Sequence, residues 1–163
     1  ELMPVIVEMS VSENLDAEEG DIPDTAAVQS WAEQACLCDD DVITSVQIVG
    51  NDEMRELNST WRGKNRPTNV LSFPMHSPED LDPIILGDLA LCAGVINAEA
   101  KQQHKTPQAH WAHMVVHGML HLQGYDHIDD QQAEEMETLE IRILDRLGYQ
   151  NPYQDSAIPQ TIL

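Results

Sequence analysis

Between Pro107 and Tyr125 the chain carries not one Asp, Glu, Lys or Arg. In a 163-residue protein of which 23% is charged, a charge-free stretch of this length belongs in the interior. Its ends are marked. Thr106 offers a capping hydroxyl, Pro107 stands at the first helical position, and Gly124 permits the turn that stops a helix. The stretch is predicted to be a buried helix, and the rest of the chain has to fold around it. His110, His113, His117 and His121 all lie on it. At ~100° per residue they fall on a single stripe about 80° wide. Buried imidazoles need partners, because an unsatisfied buried polar group costs ~1–3 kcal/mol. One metal ion can partner several at once.

His117 and His121 stand four residues apart, so their rings project one above the other from a rigid helix. The turn at Gly124 then brings His127 back toward the same point. Three neutral imidazoles with a fourth position open to water describe a catalytic zinc site, one ion per chain, rather than a closed structural one. A zinc peptidase with this ligand spacing carries its general base, a glutamate, directly after the first histidine, where this chain has Gly118. A glycine there leaves the nucleophile to be generated by the metal. It is also expected to leave room beside the ion for a bulky phosphate. His110 and His113 are either hydrogen-bonded inside or half-exposed. Asp126 either orients a ligand from behind or serves as a turn residue.

The other elements are read from periodicity and punctuation. Strands are predicted over 3–11, 41–50, 69–75 and 84–92, helices over 24–37, 51–63 (capped by Asn51), 93–103 and about 129–147. Residues 76–83 form an acidic, Pro-containing loop and the tail from 151 is loosely held. The result is an α+β fold: a single domain over 1–150, an approximately four-stranded mixed sheet packed with about five helices, and a zincin-like metal site at the end of the buried helix, followed by a C-terminal tail over 151–163. No apolar run approaches the ~20 residues of a membrane helix, and the opening ELMPVIVEMS lacks the pattern of a signal peptide. Cys36, Cys38 and Cys92 read as reduced thiols of a cytoplasmic protein with no membrane partner.

The formal net charge of −21 argues against whole-surface attraction to a polyanion. Its distribution is uneven. Residues 1–54 contain no Lys or Arg, and Arg55, Arg62, Lys64 and Arg66 then fall within a dozen positions. Lys101 and Lys105 form a second pair. Such an island either serves a polyanion locally or is the solvated surface of a loop.

HGMLHLQGYDH (117–127) resembles the signature of the YbeY family of bacterial rRNA-maturation endoribonucleases. RGKNRPTNVLSFP (62–74) is similar to that family's arginine-containing loop and strand, and LGDLALC (86–92) to its next strand. The likeness spans roughly residues 45–150 in the right order. Asn69, where many members carry Asp, is a mild departure. The resemblance implies a single-domain α+β fold, zinc on His117, His121 and His127, and single-strand-specific RNA cleavage. It further implies a role in 3′-end maturation of small-subunit rRNA and in ribosome quality control. The implied partners are single-stranded rRNA, the small ribosomal subunit and a ribosome-assembly GTPase. Arg62 becomes the functional arginine and joins His117 as the catalytic pair.

The residues fit such chemistry. Arg62 is either a cation placed well at a helix C-terminus or an electrophile gripping phosphate through its planar fork. Lys64 and Arg66 are candidate RNA contacts. Candidates for protonating the leaving oxygen are a second water, Asp126 and His113, and Asp88 either faces the cleft or lies on the surface of its strand. Attack by the 2′-OH of the RNA competes with attack by metal-activated water. Two rivals stand beside the nuclease: a zincin-type peptidase, disfavoured by Gly118, and a non-catalytic ribosome-assembly factor in which zinc only holds the fold.

Overall fold

The computed structural model describes residues 5–75 and 83–153. The expected acidic loop, apart from Pro83, and the tail beyond Tyr153 lie outside the described residues, as does the start of the first strand.

The chain runs through β1 (Val5–Val11), a 3-10 turn (Ala17–Glu19), α1 (Thr25–Ala35), β2 (Val42–Val49) and α2 (Asn51–Arg62). It continues through β3 (Val70–Pro74), β4 (Ile84–Cys92), α3 (Ala93–Gln102), α4 (Pro107–Leu122) and α5 (Asp130–Arg146). The strands form one mixed sheet in the order β1-β2-β4-β3, with β1, β2 and β4 parallel and β3 antiparallel on an edge. The expected α+β class, four-stranded mixed sheet and five helices are borne out.

Period-2 alternation decides what each face of the sheet meets. On β2, Val42, Thr44, Val46 and Ile48 are buried toward one face, while Gln47 is exposed on the other. The first face carries the main core, which includes Trp31, Leu89, Leu91, Trp111, Met119 and Leu120. The second face is covered at the β3–β4 end by α2, over a small cluster of Val49, Met54, Leu71, Ala90 and Cys92. Helix α4 is the centre of the main core, with eleven buried residues. Fully buried aliphatic side chains contribute ~1.5–3 kcal/mol each, so its charge-free composition is what this position demands.

Side chains at the N-cap close α1, α4 and α5, whereas the N-caps of α2 and α3 make no side-chain bond. Thr106 Oγ1 accepts from the Ala109 N–H at 3.1 Å, and Asp129 accepts from Gln132 N–H at 2.8 Å. Asn51, expected as the cap of α2, is instead its first residue. The cap position is Gly50, which has no side chain to offer, and Glu19 supplies the acceptor, taking the Asn51 N–H at 2.7 Å. The 3-10 turn that holds Glu19 thus works as a remote cap.

Candidate metal centre

His117 and His121 occupy one side of the last turns of α4, with ring centroids 4.7 Å apart. Their Nε2 atoms face each other at 3.2 Å. Gly124, at φ 100°, then reverses the chain, and Tyr125 N–H returns to the Leu120 carbonyl at 3.1 Å. The reversal sets the His127 ring 5.7 Å from that of His117 and 5.2 Å from that of His121. One ring nitrogen from each of the three lies within 4.8 Å of the others. Zn–N bonds of ~2.0–2.1 Å in tetrahedral array separate two ligand nitrogens by ~3.3 Å, close to the distance seen between His117 and His121. Burial, together with the charges of His117 and His127, lowers the pKa of His121 and favours the neutral form that ligates metal. This set fits a metal ion.

The support behind it comes from α5. Glu140 has no exposed surface, and its Oε2 lies 2.5 Å from His117 Nδ1. Its Oε1 accepts from His113 Nε2 at 3.3 Å and from the Tyr153 hydroxyl. Burial pushes the Glu140 carboxyl up, but hydrogen bonds from His113 and His117 outweigh it and bring the pKa to about 2. An ionised carboxylate on Nδ1 fixes the proton of His117 there, so that Nε2 is the lone-pair nitrogen turned toward His121. His113, His117 and Glu140 also form a ligand-like group. Since the carboxylate is already engaged by both imidazoles, that group supports the outer one.

The outer histidines open into a 380 Å³ cavity whose wall includes Arg62, Asp126 and residues 68–72. The family model for Endoribonuclease YbeY matches residues 14–148 of this sequence. The chain belongs to the Endoribonuclease YbeY family. It is 52% identical over 141 residues to the Endoribonuclease YbeY of Pseudomonas syringae pv. syringae, covering 85% of each chain. To the protein of the same name from Methylococcus capsulatus it is 54% identical over 134 residues, covering 82% of this chain and 89% of that one. Its fold is similar to the solution structure of TM1509 from Thermotoga maritima, with a TM-score of 0.56 and 26% identity over 87% of this chain and 89% of that one.

The remaining sequence candidates separate into those the fold brings to the cavity and those it does not. Arg62 ends α2, and Gly63 follows in the left-handed conformation. From there the guanidinium side chain reaches the rim shared with His117, His121 and His127. Lys64 and Arg66 are exposed on the adjoining loop, outside the cavity wall. Asp126 lines the cavity, yet its Oδ1 accepts from its neighbour's backbone, the His127 N–H, at 2.8 Å and lies 3.7 Å from the His127 ring. It acts as the turn residue. His113 is buried in the supporting layer, where desolvation lowers its pKa, and it does not line the cavity. His110 is buried as well, paired with Glu99 at 2.8 Å, and Glu99 in turn accepts from Asn69 Nδ2 at 3.1 Å. An ionised Asp at position 69 could not donate that bond.

One open alternative is resolved, at Asp88, and one expectation is corrected, at Gly118. Asp88 pairs in register with Phe73 and is exposed on the α2 side of the sheet, away from the histidines. Strand alternation explains this, since Leu89 is the residue that turns toward α4. Gly118 does not make room for substrate. A Cβ there would meet Leu89 Cδ2 at 2.8 Å and Val70 Cγ2 at 3.3 Å, so the glycine lets α4 lie close against β3 and β4. Glu140 and Tyr153 were not singled out from the sequence. The signal for Glu140 was a carboxylate standing on the apolar stripe of α5 with Met136, Ile143 and Leu144.

Proposed function

We propose that this chain is a zinc-dependent, single-strand-specific endoribonuclease that acts in 3′-end maturation of small-subunit rRNA and in ribosome quality control. Membership of an endoribonuclease family carries the hydrolase class. The observation that carries the rest is the meeting of Arg62 with His117, His121 and His127 around one cavity. A neutral imidazole set suits zinc, and three protein ligands leave a position free. Its partners on this reading are single-stranded rRNA, the small ribosomal subunit and a ribosome-assembly GTPase, in the cytoplasm. Among the described residues no helix is long and apolar enough to cross a membrane.

His117, His121 and His127 would hold the ion, with Glu140 keeping His117 in the ligating tautomer. When bound, zinc supplies Lewis acidity and a water whose pKa is lowered toward ~7. Arg62 presents its fork of donors to the non-bridging oxygens of the scissile phosphate, where charge grows in the transition state. Asp126 stands on the cavity wall as the turn residue beside the ligands, and His113 is enclosed behind them, which leaves a water as the proton donor to the leaving oxygen on this reading. The peptidase reading loses ground here. A side chain at position 118 would point into the Leu89–Val70 packing, so this backbone has no place at that position for a general base.

The test is Arg62→Glu. Cleavage of single-stranded rRNA fragments is expected to fall by at least ~100-fold, the scale of losing a preorganised charge donor. Metal content and melting temperature should stay near those of the parent, because Arg62 is exposed. Undiminished cleavage overturns the assignment. Product ends bearing a 2′,3′-cyclic phosphate would replace the water nucleophile with the RNA's own 2′-OH.

A further inference from the structure

Trp61 is 66% exposed, whereas Trp31 and Trp111 are 3% and 1% exposed. It is held, not loose: its ring packs edge-to-face on Phe73, with centroids 5.8 Å apart and planes at 68°. Isolated exposed apolar residues are common and need no explanation, but the surroundings of this one are specific. Trp61 is the chain neighbour of Arg62, and Phe73 of Ser72, and both of those neighbours line the histidine cavity. The aromatic pair therefore sits one residue outside the cavity rim, around the β3 edge of the sheet. On its loop side stand Arg62, Lys64 and Arg66, none with a carboxylate within ion-pair distance among the described residues, although Asp and Glu number 29 in this chain. On its sheet side stands Asp88, in register with Phe73. The loop that carries the cations is pinned. Buried Asn58 donates to the Arg66 carbonyl at 2.8 Å and accepts the Lys64 N–H on its own carbonyl at 3.3 Å.

An anchored aromatic face bordered by free cations is how proteins hold single-stranded nucleic acid: the cations track phosphates and the ring takes a base. We propose that Trp61, backed by Phe73, is a base-stacking platform that holds an unpaired nucleobase next to the phosphate engaged by Arg62. The proposal rests on the endoribonuclease reading and gives it a basis for strand selectivity. A base stacked within a duplex cannot also lie on Trp61, so only an unstacked strand fills platform and cavity together. Arg62, at the end of the same helix turn, stands between the two.

Because the other two tryptophans are buried, quenching of intrinsic fluorescence reports on Trp61. The full-length, zinc-loaded protein is titrated with a short 2′-O-methyl oligoadenylate and with an abasic oligomer of equal length and charge. The oligoadenylate is expected to quench the emission and the abasic oligomer to leave it unchanged. Trp61→Ala should weaken oligoadenylate binding on the order of tenfold, the scale of one base–aromatic stack, and Trp61→Phe should recover most of it. Zinc content and melting temperature should not move in either variant. Equal responses to the two oligomers, or a Trp61→Ala protein that binds as tightly as the parent, overturn the platform. Those outcomes leave the nuclease reading standing. Stacking with no cleavage of any single strand would instead sink the nuclease reading and leave the platform.

Discussion

A carboxylate with no exposed surface must be kept charged by its neighbours or give up its charge, and Glu140 meets donors on both oxygens. His117 Nδ1 lies on one oxygen, and His113 and the Tyr153 hydroxyl share the other. The arrangement makes Glu140 the residue that sets the tautomer of His117, with His113 and Tyr153 holding its other oxygen. Glu140→Gln keeps the volume and one acceptor but removes the charge. It is expected to weaken zinc affinity by roughly 10- to 100-fold, the usual loss when a carboxylate behind a ligating histidine is altered. Competition against a chromophoric chelator measures this directly. Affinity equal to that of the parent would show that the ring is held by packing alone. The hydroxyl of Tyr153 is raised in pKa by burial and by the adjacent Glu140 charge, so it remains a donor to that carboxylate at any working pH.

At the scale of elements, α4 and α5 form one acid-sensitive unit. Burial holds the His113 pKa below its ordinary 6.5, so the unfolded chain takes up a proton there before the folded one does. Stability from this group is present above about pH 6.5 and is lost as pH falls below it. Glu140, held at about 2 against an ordinary 4.5, adds stability above pH 4.5 that disappears between 4.5 and about 2. The melting temperature of the metal-free protein should therefore fall in two stages on acidification, and His113→Gln should blunt the first. A flat profile between pH 7 and 5 would contradict the burial of a neutral His113. Much of this unit was legible in the sequence. Absence of charge between Pro107 and Tyr125 marked the buried helix, and spacing alone brought His117, His121 and His127 together. What stayed hidden depended on contacts between distant segments. Glu140 lies 23 residues beyond His117, among the other acids of α5. Glu19 caps α2 from 32 residues away, where local capping rules pointed to Asn51. That Gly118 faces the sheet, and not the space beside the ion, depended on where β3 and β4 pack against α4.

For the whole molecule the question is how a chain of net charge −21 holds a polyanion. Exposed charges farther apart than about 8 Å are largely screened at physiological salt, so the acidic body acts weakly on a strand bound at the β3 edge. Local cations decide the contact. Lys105 is already engaged, its Nζ bonded to the Pro152 carbonyl at 3.0 Å, which leaves Arg62, Lys64 and Arg66 as the cations beside the cavity. If each meets one phosphate of a single strand, the slope of log affinity against log salt is about −2, from ~0.7 per contact. Repulsion from the acidic body is itself screened by salt, which can only make the measured slope shallower. Lys64→Gln should reduce the slope by roughly 0.7, with metal content unchanged, and Lys64→Gln combined with Arg66→Gln by about twice that. Fluorescence anisotropy of a labelled single strand across a salt series reads both. A slope unaltered in the double variant would move the phosphate contacts off this loop, and one much steeper than −2 would require cations beyond these three.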